Sequence, residues 1–470
     1  MYHPDVIAEK ETALERRFQT LLPDGRLQRS PVATCQEYTR RLAAIWDPRK
    51  KAPTRPFSAD EERFILMEKL LCQVDYAYAA ERYIWINYAG QSLRPMYPLW
   101  ESQRLILAAI ARVELEHWKE GHPDGILANV LKGRQLGAST LAQSLLAHRV
   151  LTHTQVRTMI ASDVPQNSGS EGLFGMLELV VEHWPWWLRP AIKFWTKNQH
   201  VIFENGSRVV VEAGKSMKGA LQDEGGVKGQ IGRSKTYSAV HLSEITTWEQ
   251  PQEIDSSLLP AVPITPRTIM IMESTAMGRI NYWHQRWKKA DAGKDPRFFN
   301  IFIPFYAERS KYWLPVPANW VPSADTLAFA ARCEEHGPKY MHRPVQLSKE
   351  QLRWYEVSKA SAEHDDALYK FLSEYPAEPE EAFQHSGRSI FPVHVIDRVE
   401  KQVRPLAEVW SVKPRGELIE DRQQAIVEWK TTQVQMEEER RRRREQAAEE
   451  ISVDGQEKRV ETPLPAVGER

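Results

Sequence analysis

The sequence predicts an α/β protein built on a central, mostly parallel sheet flanked by helices, and three observations carry that prediction. From Met96 onward, short apolar runs alternate with helical patterns, the order in which a sheet is covered on both faces. Residues 201–212 read as a hairpin: V-I-F-E, then Asn205-Gly206, then S-R-V-V-V-E. Asn-Gly between β-rich runs is the strongest short hairpin signal, because both turn residues call for positive φ. Residues 132–140, K-G-R-Q-L-G-A-S-T, set a glycine-bearing loop between a strand at 126–131 and a helix at 141–150. Further strands are expected at 158–161, 238–242 and 268–272.

Composition bounds the rest. A chain of 470 residues, 42% hydrophobic and 27% charged, can bury a sizeable core, which excludes disorder over most of its length. Lysine plus arginine and aspartate plus glutamate both number 63, so bulk positive charge does not coat nucleic acid, although a local basic groove stays open. No apolar run approaches the roughly 18 residues that span a bilayer, so no membrane partner is expected. The three cysteines, Cys35, Cys72 and Cys333, form no CxxC pair, which excludes a disulfide framework or zinc cluster and fits a reducing cytoplasm.

Four regions follow. Residues 1–95 read as a helical N-terminal arm for packing and partner contact, with one helix over 5–22. A second starts at Ser58, where Ser58 and Glu61 match a capping box, and runs on through Phe64, Leu70, Tyr76 and Tyr83. Residues 96–314 form the core. Residues 315–391 form a small helical lid, with helices at 347–358 and 367–372. Residues 392–470 are a linker and charged tail. At 436–450 Glu and Arg recur four apart, supporting a solvated helix, and disorder is expected beyond 452.

Three segments carry chemistry. A strand–loop–helix junction aims amides and a helix N-terminus at an anion. Against the pattern G-x-x-x-x-G-K-[ST], Gly137 and Ser139 take the sixth and eighth positions, Ala138 stands where the lysine belongs, and Lys132 stands at the first. A lysine entering from that end can still reach the β/γ-phosphates, and the Ser139 hydroxyl can ligate Mg²⁺. An ordinary strand–helix turn is the competing reading. Gly214-Lys215-Ser216 is a decoy with no upstream glycine. The second segment, S-A-V-H-L-S-E over 238–244, is an apolar strand ending in Ser243 and Glu244, which leaves Glu244 as the only carboxylate to orient water. The third, I-M-I-M-E-S-T-A-M-G over 269–278, puts Ser274 and Thr275 at the C-terminal end of a strand, where open α/β sheets bind ligands, unless they are simply helix caps. Gln103 is a candidate reader of adenine, and Arg233, in the glycine-rich stretch, is a candidate γ-phosphate contact.

Together these segments resemble the ATPase of the large terminase subunit, the family of motors that package DNA into viral capsids. K-G-R-Q-L-G-A-S-T resembles its deviant Walker A, A-V-H-L-S-E-I its Walker B with serine for aspartate, and E-S-T-A-M-G its coupling motif. N-G-S-R-V-V-V-E before the loop with Arg233, and L-S-E-Y-P with E-E-A-F and S-G-R, follow in the family's order. The resemblance covers about residues 97–391. It implies a P-loop NTPase of the ASCE type with ATP and Mg²⁺ as its ligands. Lys132, Gly133, Arg134, Gln135, Leu136, Gly137, Ala138, Ser139 and Thr140 would hold the triphosphate, with Gln103 at adenine. Ser139, Ser243 and Glu244 would hold the metal. Glu244 would activate water, Arg134 would sense the γ-phosphate, Ser274 and Thr275 would couple hydrolysis to DNA movement, and Arg233 would act on a neighbouring subunit. It also implies double-stranded DNA, a portal protein and a small terminase subunit as partners, a homo-oligomeric ring when active, and a site of action in the infected host's cytoplasm, docked on the procapsid.

One departure stands out. The family's RNase H-like nuclease has no counterpart in the stretch after Phe391, whose aspartates are Asp397, Asp421 and Asp454, so nuclease activity is not expected in this chain, the nuclease being either on a separate chain or lost. A non-catalytic ATP-binding scaffold, favoured by Ala138 and Ser243, and a helicase-like DNA motor remain alternatives. Lys193, Lys197, Lys215, Lys218, Lys228 and Lys235 are basic residues able to track DNA phosphates.

Overall fold

A computed structural model describes residues 1–88, 92–121, 125–196, 200–213 and 236–383, together with the backbone of 411–412 and 418–419. The chain divides into two compact units, Met1–Arg388 and Ser389–Arg470. Of the second unit, Ser411–Val412 pairs antiparallel with Leu418–Ile419. The helix expected at 436–450, the decoy at 214–216 and Arg233 lie outside the described residues.

The central sheet has eight strands: β1 (Ile126–Lys132), β2 (Arg157–Ser162), β3 (Ile192–Thr196), β4 (His200–Phe203), β5 (Arg208–Ala213), β6 (Ala239–Ser243), β7 (Ile269–Ser274) and β8 (Phe298–Ile303). Their order is β8-β1-β7-β6-β2-β5-β4-β3, parallel from β8 to β5 and antiparallel at β4 and β3. Every residue of β1, β6 and β7 is buried, as near-continuous apolar runs covered on both faces require. Side chains alternate between faces, and the core divides accordingly. Ala128, Val130, Ala239 and Ile271 join one apolar cluster, whereas Leu127, Leu131, Val240 and Met272 join another on the opposite face.

The hairpin forms, with a different turn. β4 and β5 pair antiparallel across a three-residue loop, Glu204–Gly206, closed by Gly206 N–H to Phe203 O (3.1 Å) and Phe203 N–H to Ser207 O (2.9 Å). Only Gly206 has positive φ, at 80°. Asn205 is fixed by its side chain instead: Oδ1 accepts from Ser207 N–H (2.9 Å) and Nδ2 donates to His153 O (2.9 Å). Strands β3 and β8 were not among those the sequence predicted.

The N-terminal residues fold as α1 (Pro4–Phe18), α2 (Val32–Ala44), α3 (Ala59–Val74) and α4 (Tyr76–Tyr83). The capping box is present: Glu61 N–H donates to Ser58 Oγ and Ser58 N–H to Glu61 Oε2 (2.8 Å). The long helix expected through Tyr83 breaks at Asp75, where φ −127° and ψ 105° end α3 and the carboxylate caps α4 by accepting from Tyr78 N–H (3.1 Å). Trp85–Tyr88 and Ser92–Pro95 form an antiparallel pair where the sequence reads as helical.

Helices α5 (Glu101–Lys119), α6 (Ala138–Thr152) and α7 (Leu173–His183) cover one face of the sheet, and α8 (Tyr282–Asp291) contributes Trp283 and Trp287 to the other. Leu141–Leu151 of α6 are buried on every side, because the N-terminal helices wrap it. Tyr76 Oη lies 2.6 Å from Ser144 Oγ, and His148 Nε2–H donates to Cys72 O at 2.6 Å. Residues 1–83 are thus part of the same apolar core as the sheet. Helices α9 (Ala324–His336), α10 (Lys349–His364) and α11 (Leu368–Glu374) dock on it through Phe305, just past β8, and through Phe329 stacked on Tyr355 at 3.6 Å. Among the described residues no helix is long and apolar enough to cross a membrane.

Burial pushes the His148 imidazole down to about 4 and that of His153 to about 2. In each case the folded state takes up its proton later than the unfolded chain does. The stability each contributes is fully present above pH 6.5 and is lost as pH falls, down to about 4 for His148, on the order of 3 kcal/mol, and on toward about 2 for His153. Denaturant midpoints at pH 7.5 and 5 are expected to show that loss. His148→Gln, which keeps a donor but does not titrate, is expected to remove the His148 share of it and to leave that of His153.

Candidate phosphate-binding site

Strand register assembles the site. Lys132 ends β1 and Ser243 ends β6, and Ser243 sits opposite Glu273 of the intervening β7. With β-strand parity, Lys132, His241, Ser243 and Glu273 all project to the face that α6 covers. The loop between β1 and α6 closes against that end of the sheet. Gly133 N–H donates to Ile303 O (3.2 Å) and Arg134 N–H to Glu374 O (3.0 Å). Gln135 (φ 50°) and Gly137 (φ 72°) are left-handed. From Gln135 to Thr140, no backbone amide finds an acceptor among the described residues. Left-handed turns feeding a helix N-terminus form a concavity of N–H donors suited to an anion.

Neighbouring side chains hold this loop from behind. Gly137 meets its neighbours where a Cβ would lie only 2.9 Å from Gln103 Nε2 and 3.1 Å from the Trp100 ring, so only glycine fits that space and that φ. Gln103, 3% exposed, accepts from Trp100 N–H (3.1 Å) and donates to Gly137 O (3.1 Å). Ser102 Oγ donates to Leu136 O at 2.7 Å. Leu136 and Ala138 are buried, and Thr140 directs its hydroxyl to Met176 Sδ (3.9 Å), so these three offer the loop their amides. Arg134 is half-exposed and forks onto Glu374 Oε1 and Oε2 (3.2 and 3.3 Å), while the Tyr312 hydroxyl donates to its carbonyl.

At the centre, Lys132 Nζ lies 3.2 Å from Glu244 Oε1 and 3.0 Å from Glu273 Oε2. Burial alone would push the ammonium down, but the two carboxylates outweigh it and hold Lys132 above the ordinary lysine range. Burial likewise works against the Glu273 carboxylate, and Lys132 outweighs it, so Glu273 stays well below the usual carboxylate range. Glu273 Oε1 accepts from Ser139 Oγ and from Ser243 Oγ, both at 2.6 Å. Glu244 is therefore not the only carboxylate in the site, as the sequence had suggested: a second, fully buried one lies across the same lysine. Glu244 is the more accessible of the two, at 35% side-chain exposure. Its backbone is left-handed (φ 52°), with its N–H on Glu273 O at 2.9 Å.

Ser274 ends β7 rather than capping a helix. Its Oγ lies 2.9 Å from Thr246 Oγ1, which also reaches Thr275 O (3.3 Å), so this segment is tied to the turn that follows Glu244. Ser373 Oγ of α11 donates to Ala276 O at 2.5 Å, one residue before Glu374 engages Arg134. One end of α11 thus touches both loops. Beside Trp100 opens a cleft of ≈ 540 Å³ lined by Tyr88, Arg94, Arg104, Glu308 and Arg309.

No group of three or more His, Cys, Asp or Glu able to hold a metal occurs among the described residues. The donor set still fits Mg²⁺, which is commonly held by one or two carboxylates, waters and substrate phosphates. The Ser139 and Ser243 hydroxyls donate their hydrogen bonds to Glu273, leaving their lone pairs free, and Glu244 is partly open. The sequence motifs contain Glu273 and Glu374 but point to a role for neither. A glutamate within a run of buried strand residues was the available signal for the first; nothing local marked the second.

The sheet order, with β7 between the strand that enters the loop and the strand that ends at Glu244, and the loop itself define an α/β fold of the P-loop kind. Bacteriophage large terminases are among the solved structures it matches. The HK97 large terminase aligns at 13% identity and TM-score 0.39, over 64% of this chain and 53% of that one. A large terminase from a thermophilic bacteriophage aligns at 10% identity and TM-score 0.31, over 44% and 45%. The large terminase ATPase domain of Thermus phage P74-26 aligns at 13% identity and TM-score 0.29, over 53% and 87%. The chain thus spans about half the length of the first two. No protein-family model matches it, and no curated protein sequence does.

Proposed function

We propose that this chain is a Mg²⁺-dependent ATPase whose hydrolysis cycle drives double-stranded DNA through a portal protein into a procapsid, as a homo-oligomeric ring working with a small terminase subunit. The observation that carries this reading is the placement of Lys132, Glu244 and Glu273 directly beside the run of open amides from Gln135 to Thr140. The order of the sequence motifs that resemble large terminases supports the choice of reaction and partners. The infected cell's cytoplasm, with transient docking on the procapsid, is the corresponding place of action.

In this reading the amides of Gln135–Thr140 cradle the triphosphate, and the Lys132 ammonium neutralises its β/γ end. Ser139 and Glu244, with Ser243 behind them, would hold Mg²⁺, which when bound offsets charge on the transferring phosphoryl group. Glu244 accepts a proton from the attacking water. Arg134, released from Glu374, contacts the γ-phosphate, and Ser274 with Thr275 passes the change at Glu244 to the adjoining loop. Gln103 stands behind the loop beside the Trp100 cleft, the place for an adenine ring; contact with the base requires its amide to turn outward. Arg233 is the candidate for action on a neighbouring subunit.

The test is phosphate release by the purified chain with and without double-stranded DNA. Turnover that rises with DNA supports the proposal. Tight nucleotide binding with no turnover, even with DNA and capsid components present, would instead identify a non-catalytic scaffold.

A further inference from the structure

We propose that Glu273 is a positioning residue of this site: a buried counter-charge that fixes Lys132 at the mouth of the loop and orients the Ser139 and Ser243 hydroxyls, and that is itself aligned by the pair Gln143–His241. The inference rests on the nucleotide-site reading above and names a residue for which the sequence motifs have no role.

The geometry is specific. Glu273 is fully buried, and its two oxygens have separate tasks. Oε2 faces Lys132 Nζ at 3.0 Å, and Oε1 takes both serine hydroxyls at 2.6 Å. A hydroxyl that donates to an ionised carboxylate makes a strong, short bond and turns its lone pairs the other way, toward the open side of the site. One carboxylate thus sets three groups from three separate segments: the end of β1, the start of α6 and the end of β6.

Behind it, His241 Nε2 lies 3.4 Å from Oε1, and His241 Nδ1 lies 2.6 Å from Gln143 Nε2. With the Gln143 amide assigned as donor, Nδ1 accepts, so the imidazole proton sits on Nε2, the ring nitrogen next to Glu273 Oε1. Gln143 and His241 are both fully buried. Gln143, on α6, is thus two contacts away from Glu273 and further still from any bound phosphate, yet it sets the orientation of the carboxylate that holds Lys132. Outer partners of this kind typically matter about ten- to hundredfold in metal affinity or activity.

The test compares wild type, Glu273→Gln and Gln143→Leu. It measures nucleotide affinity in EDTA, kcat, and the Mg²⁺ concentration giving half-maximal rate. Glu273→Gln keeps an acceptor oxygen and loses the charge. Its kcat is expected to fall about ten- to hundredfold and its Mg²⁺ requirement to rise, while metal-free nucleotide affinity changes less, because the amides and Lys132 remain. Gln143→Leu is expected to move kcat and Mg²⁺ requirement in the same direction by a smaller factor. If Glu273→Gln fails to fold, Gln143→Leu decides the matter. Wild-type kcat and wild-type Mg²⁺ requirement in the folded variants of an active enzyme overturn this proposal alone. A wild-type chain that binds no nucleotide overturns it together with the reading it rests on.

Discussion

Glu244→Gln is expected to leave ATP bound and to stop its hydrolysis, with kcat falling by about 10²–10⁴. The substitution preserves shape and removes the ability to take a proton. Glu244 is the site's partly open carboxylate, since Glu273 is enclosed by its partners. Its backbone is placed rather than free: a left-handed φ of 52° in a non-glycine residue costs on the order of 1–3 kcal/mol and persists only where surrounding structure enforces it. Here the enforcing contacts are its N–H on Glu273 O and the tie between Thr246 and Ser274. Single-turnover mixing separates the two quantities: bound nucleotide stays near wild type while phosphate release slows. A comparable loss of binding would instead show that Glu244 is needed to hold nucleotide.

Lys132→Ala is expected to fail twice, in ligand binding and in stability. Its ammonium is the cation paired with Glu273, whose carboxylate is wholly buried. Removing one partner of a buried ion pair strands the other charge and typically costs about 3–5 kcal/mol. That cost is measurable without nucleotide as a shift in the urea midpoint. In the Glu273→Gln background the same lysine substitution is expected to cost much less, because no charge is left stranded. The surviving folded fraction is expected to lose triphosphate affinity as well. A Lys132→Ala variant with wild-type stability would contradict the ion-pair geometry.

What the sequence disclosed and what it withheld divide along local and non-local lines. The loop from Lys132 to Thr140 was legible because strand, glycines and helix lie next to one another in the chain, and chemistry at a helix N-terminus is local. The strand ending at Ser243 and Glu244 was legible for the same reason. Glu273 was not, because its meaning depends on register: only when β7 slots between β1 and β6 does it come to face Lys132 and Ser243. In sequence that segment is an apolar strand followed by hydroxyls, which singles out Ser274 and not the acid beside it. Glu374 escaped similarly, since its partner Arg134 is 240 residues distant. The hairpin shows a smaller version of the effect: Asn-Gly announced a turn, but the side-chain bonds of Asn205 to residues near α6 chose a loop in which glycine alone is left-handed. Asp75 likewise broke a helix whose apolar spacing runs on through Tyr83, by offering its carboxylate to the next helix.

In the proposed function, Lys132 and Glu244 belong to one nucleotide-hydrolysing site. Steady-state phosphate release from ATP, measured side by side for wild type, Lys132→Ala and Glu244→Gln with Mg²⁺ and double-stranded DNA, tests it most directly. Wild type is expected to turn over, and both variants to fall to background. Turnover that survives both substitutions would contradict it.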